Sequence, residues 1–389
     1  MRVHPQVVIH RSDPFIGYRK LHQLGTLFPT TYGGYIACGH AAVSAVLRDP
    51  RLHVQVPYAD AFGLETAHLT SAAMSFANGA DHTRRRGFMA KAFQPKVLAE
   101  LEPRLIELVD ELLGALARKR SADFVADLAL PFPVRVIAEM LGVPRDAHAQ
   151  CTEWSEALAP LVDAALTRER FQKVYDAGRD FSAFMLGLME ERRRRPARDI
   201  ITTLVRALDE QGELTELEVV SNLITLFVAG HETTTNLLSA SVVHLDQHAE
   251  ARASLEADPA LLGPAVEEVL RFAPALHFTS RVAPTALELQ GQPMAAGEVV
   301  WVMIAAANRD AAVFAEPDRF DIHRSPNPHI SFGGGPHACI GLSLARLEAK
   351  HALGRFFARF PRWSVAPQLL ELRHTVALRG YKRVEVRLR

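Results

Sequence analysis

The sequence predicts a mainly α protein with a small β portion. Apolar residues recur at three-to-four spacing along most of the chain, and the strand-like runs are short and mostly late. With 48% apolar and 23% charged residues among 389, the chain can bury one large core without disulfide staples. No repeat, low-complexity tract or Ser/Gly linker marks a boundary, so residues 1–389 read as a single domain.

Tyr35-Ile-Ala-Cys38 reads as an early strand. Residues 96–118 set Leu at helical spacing among charges, an amphipathic helix. A helix over 133–142 closes at Gly142, with Pro144 just beyond. Another covers 169–195 and ends in Glu190-Glu-Arg-Arg-Arg-Arg195 before Pro196, a run read as a solvated helix end rather than a nucleic-acid patch. Thr215-Glu-Leu-Glu218 is a capping box. The apolar pattern it opens runs to about His248, ~50 Å of helix at 1.5 Å per residue, which only a large domain can bury centrally. Val299–Ile304 and Arg383–Arg387 read as strands.

Lys plus Arg equals Asp plus Glu at 44 each, so no whole-chain field draws the protein to nucleic acid or an anionic membrane. Three cysteines are too few for a disulfide framework, a four-cysteine zinc site or an iron–sulfur cluster, and fit a reducing cytoplasm. There is no signal-peptide pattern at Met1-Arg-Val-His-Pro and no long uninterrupted apolar run. The expectation is a soluble, cytoplasmic protein with no membrane anchor.

Chemistry concentrates first in Phe332-Gly-Gly-Gly-Pro-His337-Ala-Cys339-Ile-Gly341. Three glycines and a proline give a tightly turned loop that lets backbone approach a flat partner and aims N–H groups at a sulfur. A helix pattern follows the cysteine, and a helix N-terminus would favour its thiolate. This loop resembles the haem-ligand loop of cytochrome P-450 enzymes, with Phe, Gly, Gly, His, Cys and Gly in register. The resemblance implies the P-450 fold, with a long central distal helix and a cysteine loop on the proximal side of haem b. It makes Cys339 the thiolate ligand of the iron, beside Phe332, Gly333 and Gly341.

Glu268-Val-Leu-Arg271 puts an acid and a base on one helix face. It resembles the family's Glu-x-x-Arg helix. Arg319, in Glu316-Pro-Asp-Arg319-Phe, then stands where the family supplies a third member, so that Glu268, Arg271 and Arg319 would form a buried structural charge network.

Ala229-Gly230-His231-Glu232-Thr233-Thr234 interrupts the long helix with residues that disfavour helix. Such a local conflict marks a functional site. A His-Glu-x-x-His zinc motif would need His at 235, where Thr235 stands, so that reading fails. The stretch resembles the family's oxygen-activation motif. That implies Ala229 or Gly230 as the small residue beside dioxygen, the co-substrate, with Thr233 as the hydroxyl, Glu232 as the acid that relays protons, and no catalytic part for His231.

His82 and Arg86, four apart in Asp81-His-Thr-Arg-Arg-Arg86, together with Arg281 and His337, are implied as donors to the haem propionates. Arg84 and Arg85, with Arg346, would form a local positive face for an acidic electron donor. The pocket would be walled by Thr225 and Val228 on the long helix, His277, Phe278, Val376, Ala377 and the 58–76 stretch.

The function implied is a monomeric haem-thiolate monooxygenase acting on an apolar small molecule of terpenoid, steroid, fatty acyl or polyketide-like type. No flavin or dinucleotide fingerprint is visible, so electrons would come from a ferredoxin and its ferredoxin reductase. A haem-thiolate coupling enzyme is an alternative reading. A non-enzymatic haem sensor is another, and Glu232-Thr233 argues against it.

Overall fold

The computed structural model describes residues 13–31, 33–55, 72–162, 167–373 and 375–388. Its helices are α1 (Pro14–Leu24), α2 (His40–Arg48), α3 (Gly79–Ala90), α4 (Pro95–Leu116), α5 (Pro131–Leu141), α6 (His148–Leu158), α7 (Arg168–Arg194), α8 (Ile200–Arg206), α9 (Glu216–Gln247), α10 (Ala249–Ala257), α11 (Leu262–Phe272), α12 (Ile304–Ala307) and α13 (Leu342–Arg359). The strands are β1 (Leu27–Pro29), β2 (Tyr35–Ala37), β3 (Ser121–Asp123), β4 (Thr279–Val282), β5 (Leu287–Leu289), β6 (Gln292–Met294), β7 (Val299–Val302), β8 (Ser364–Val365) and β9 (Glu385–Arg387). They pair in three small sheets, ordered β1-β2-β7-β4, β3-β9-β8 and β5-β6. The chain is mainly α with a small β portion, as the sequence predicts.

The helix ends follow local chemistry. Asp13 caps α1 by accepting from the Phe15 N–H at 2.9 Å, and Pro14 takes the first helical position. At the start of α9 the Thr215 hydroxyl accepts from the Glu218 N–H at 3.2 Å, and the Glu218 carboxylate accepts from the Thr215 N–H at 2.8 Å. Gly142 ends α5 at φ 92°, and a Cβ there would lie 2.2 Å from Asp199 Oδ2. Asp199 is busy: it caps α8 through the Thr202 N–H at 2.8 Å and takes the Arg192 Nε–H. The basic run at the end of α7 is therefore only partly solvated. Arg192 is bonded to Asp199 and to the Gly142 carbonyl, Arg193 pairs with Asp209 at 3.0 Å, and Arg194 and Arg195 are exposed. The late strand is shorter than its apolar run, because Ile304 opens α12.

Helix α9 is the axis of the molecule. It packs on α5, α7, α11 and α13 within the principal apolar core. Between Glu218 and Val243 every residue is buried except Thr225, Val228, Ala229, Gly230 and Thr233. At 3.6 residues per turn Thr225, Ala229 and Thr233 fall on one stripe, widened by Val228 on one side and Gly230 on the other. Glu218 also receives Arg84 and Arg85 from α3, at 3.0 and 2.7 Å. These two arginines thus lock α3 to the start of α9 and do not form an open face for a partner. The buried capping carboxylate is what draws them in.

The Glu268–Arg271 pair is wholly buried, with Nε to Oε2 at 2.8 Å and Nη2 to Oε1 at 2.7 Å. Its third charged member is Arg324, 9% exposed, whose Nε lies 3.3 Å from Glu268 Oε2. Arg319 contributes only its carbonyl, which accepts from Arg271 at 3.0 Å, while its guanidinium pairs with Glu316 at the surface. The segment 319–324 turns so that Arg324 points inward, which corrects the sequence expectation.

No helix among the described residues is long and apolar enough to cross a membrane.

Candidate active site

The loop before α13 is shaped by its glycines. Gly333 and Gly335 take φ of 70° and 66°. A Cβ on Gly335 would lie 2.4 Å from the Leu47 carbonyl oxygen, so the loop can sit on the end of α2 only with glycine there. The Cys339 N–H donates to the Phe332 carbonyl at 2.8 Å, closing the loop. Helix α13 begins three residues after Cys339, not at it. Burial is accordingly the largest influence on the thiol and raises its pKa. The Gly341 N–H and the charges of Arg86 and Arg346 work against that, toward the thiolate.

Four basic groups converge beside the loop. The rings of His82 and His337 lie 4.1 Å apart, centroid to centroid. Arg86 donates to the Ala338 carbonyl at 2.7 Å, tying α3 to the loop. Arg281, on β4 and 6% exposed, donates to the Ser280 carbonyl, and burial lowers its pKa to about 10. Burial, with the charges of His82, Arg281 and Arg86, pushes His337 down to about 3. Among the described residues no carboxylate pairs with any of the four. Two half-buried to buried arginines with no acid of their own, beside two imidazoles that burial keeps neutral and able to donate an N–H, form a donor set suited to an anion from outside the chain. A ligand with two carboxylates on one edge and a thiolate-seeking metal at its centre fits this donor set, and haem has that form.

On the other wall, Thr233 donates to the Ala229 carbonyl at 2.9 Å, within the accessible stripe of α9. Glu232 is 2% exposed and pairs with Arg373 at 3.4 Å. Arg373 also reaches Glu156 on α6, at 3.4 Å. His231 is fully buried. Its Nδ1 bonds the Phe227 carbonyl, and burial lowers its pKa to about 4, so it packs as a neutral ring. The two halves of the site are joined at Glu348, nine residues after Cys339 on α13. Its buried carboxyl faces Thr234, the neighbour of Thr233, and burial drives its pKa well up. The sequence reading did not single out Glu348 or Arg373. A Glu on an otherwise apolar face of α13 was the only available signal.

The model that matches residues 152–372 is that of the family described as Cytochrome P450. The chain belongs to the cytochrome P450 family. It is 37% identical over 360 residues to the biotin biosynthesis cytochrome P450 of Bacillus subtilis (strain 168), covering 91% of each chain. Among solved structures it resembles P450BioI in complex with hexadec-9Z-enoic acid ligated acyl carrier protein. That match has a TM-score of 0.92 and 34% identity over 97% of this chain and 99% of that one. It also resembles a myxobacterial cytochrome P450, CYP267B1, in complex with myristic acid, at a TM-score of 0.92 and 33% identity over 99% and 100%. This cytochrome P450 is therefore a haem-thiolate oxidoreductase of the monooxygenase class, in a family active on varied apolar substrates.

Within the P450 fold, the expected pocket residues divide. Thr225 and Val228 lie on the accessible stripe of α9. His277 does not reach a wall. It is 1% exposed, its Nδ1 meets the Tyr18 hydroxyl at 2.8 Å, and Phe15 and Tyr18 flank its ring. Phe278 and Ala377, at 3% and 0%, belong to the same satellite core, and Val376 is half-buried against it. Helix α1 supplies the cover, and nothing near residue 277 announces a partner 259 residues away. Of the 58–76 stretch, 58–71 lies outside the described residues, and Ala72, Ala73 and Met74 are buried.

Proposed function

We propose that this P450 holds haem through Cys339 and oxygenates a fatty acyl or similarly long apolar substrate, with electrons from an external ferredoxin and its reductase. One observation carries the cofactor placement. His82, Arg86, Arg281 and His337 converge without an acid among the described residues, directly beside a cysteine loop whose helix packs Glu348 against the neighbour of Thr233. Haem, when bound, supplies the activation of dioxygen: one oxygen atom goes to the substrate and the other to water, for two electrons and two protons.

The chain's own part is to bind, orient and supply protons. The Gly341 N–H and Arg86 stabilise the Cys339 sulfur as thiolate, and Arg346 adds what its pairing with Glu267 leaves. The four basic groups fix the propionate edge. Thr233 presents a hydroxyl proton in the accessible stripe, and Arg373 holds the Glu232 carboxylate one residue behind it. Thr225 and Val228 shape the apolar wall beside them. The acyl class is favoured because the similar structures described above are complexes with hexadec-9Z-enoic acid ligated acyl carrier protein and with myristic acid.

Two spectra test this. The reduced carbon-monoxide complex should show the red-shifted Soret band of thiolate ligation in wild type and lose it in Cys339→His. Myristic acid added to the oxidised protein should shift the Soret band toward high spin in a saturable way. A histidine-type band in the wild type refutes the ligand assignment, and a flat titration across acyl chain lengths refutes the substrate class.

A further inference from the structure

Glu267, the residue before the buried Glu268, takes no part in the Arg271 network and faces the cysteine loop instead. Its two oxygens accept from Arg346 in a fork, Nε at 2.6 Å and Nη2 at 2.8 Å. Oε2 also meets His329 Nε2 at 3.0 Å. The Ser331 N–H donates to His329 Nδ1, so the imidazole carries its proton on Nε2 and is a donor to Glu267. The Arg346 guanidinium lies 4.6 Å from the centre of the Phe332 ring, the aromatic residue whose carbonyl closes the Cys339 loop. Glu267 and Arg346 are each about one-third exposed, so water screens the pair only in part.

Two cations bear on Cys339, and their environments differ. Arg86 has no carboxylate among the described residues, whereas Arg346 is neutralised in a bidentate pair that His329 steadies.

We propose that Glu267 is a positioning residue that sets the reduction potential of the thiolate-bound haem, by holding Arg346 over Phe332 and cancelling its charge at the cysteine loop. The inference rests on Cys339 as the haem ligand. Reduction of ferric haem adds one negative charge to the site. A bare guanidinium nearby favours the reduced form, and a bare carboxylate opposes it. Neutralising Glu267 therefore raises the potential, neutralising Arg346 lowers it, and neutralising both restores it. A purely structural clamp gives no such alternation of sign.

The test is a spectroelectrochemical titration of the haem-loaded wild type, Glu267→Gln, Arg346→Gln and the double variant. At the wild-type midpoint, Glu267→Gln should raise the ratio of reduced to oxidised protein about tenfold, which is about 59 mV for a one-electron couple. Arg346→Gln should lower it by a similar factor, and the double variant should lie within about twofold of wild type. Arg346→Lys, which keeps the charge but not the fork, supplies a second pair member should Glu267→Gln fail to load haem; it should lie between wild type and Glu267→Gln. Shifts of one sign in both single variants, or a double variant as displaced as either single, overturn the proposal. The reduced carbon-monoxide spectrum is read separately on every variant. Loss of the thiolate band already in wild type would fault the ligand assignment and not the charge pair.

Discussion

Replacing Glu268 by Ala removes the acceptor of a closed network, and its cost can be worked from the contacts. Oε1 accepts from Arg271 Nη2 and from the Asp321 N–H at 2.8 Å. Oε2 accepts from Arg271 Nε and from Asn327 at 3.2 Å, with Arg324 alongside. Arg271 keeps its bonds to the carbonyls of Asn308, Pro317 and Arg319, so the variant loses the counter-charge rather than every hydrogen bond. Stranding a fully buried guanidinium in this way costs about 3–5 kcal/mol. A folded domain commands about 5–15 kcal/mol in total, so Glu268→Ala should yield little folded holoprotein. The assay is urea unfolding followed by the Soret band and by Trp fluorescence. Two companion variants decide the membership of the network. Arg324→Ala removes a nearly buried partner of the same carboxylate and should cost about 1.5–3 kcal/mol. Arg319→Ala removes a guanidinium that is 59% exposed and paired only with exposed Glu316, and should stay within about 0.5 kcal/mol of wild type. A wild-type midpoint for Glu268→Ala, or a larger loss for Arg319→Ala than for Arg324→Ala, would refute this account.

The other predictions concern the loop, the distal motif and the α3–α9 lock. Gly335→Ala should weaken haem retention at least tenfold in a transfer assay to an apo acceptor, since the new Cβ meets the Leu47 carbonyl at a positive φ; unchanged retention would show that the loop has another seat. Thr233→Ala should load haem normally yet divert most reducing equivalents from product to peroxide, measured as product and peroxide per NADPH with surrogate electron partners. For Glu218, burial raises the carboxyl pKa, but the hydrogen bonds from Arg84 and Thr215 and the charges of Arg85 and Arg84 outweigh it, holding the group at about 2. The folded value lies below the ordinary 4.5, so the stabilisation is complete above about pH 4.5 and is lost as pH falls toward 2. The stability gap between wild type and Glu218→Gln should close over that acid window; a gap independent of pH would exclude the linkage.

What the sequence makes legible here depends on whether the controlling interaction is local. The capping box at Thr215, the left-handed Gly142 and the stripe through Thr225, Ala229 and Thr233 all follow from spacing within one or two turns, and the structure places them where spacing puts them. The misplaced residues are those whose partner is remote. Arg319 and Arg324 are both cations in one irregular segment, and only the path of the chain decides which one enters the core. Arg84 and Arg85 read as a free basic face until Glu218, 134 residues on from Arg84, is brought against them. His277 reads as part of the pocket wall until Tyr18 takes its nitrogen. For Arg84, Arg85 and His277 a side chain read as facing a partner or a pocket finds a protein partner in the fold; Arg319 is the reverse, expected in the core and left at the surface while Arg324 takes its place. The converse is the more useful rule for the site. Among the described residues the arginines Arg86 and Arg281 stand with His82 and His337 and have no acid, whereas the buried Arg271 and Arg309 are paired with Glu268 and Asp318, and that contrast marks the place beside the cysteine loop as one reserved for a ligand.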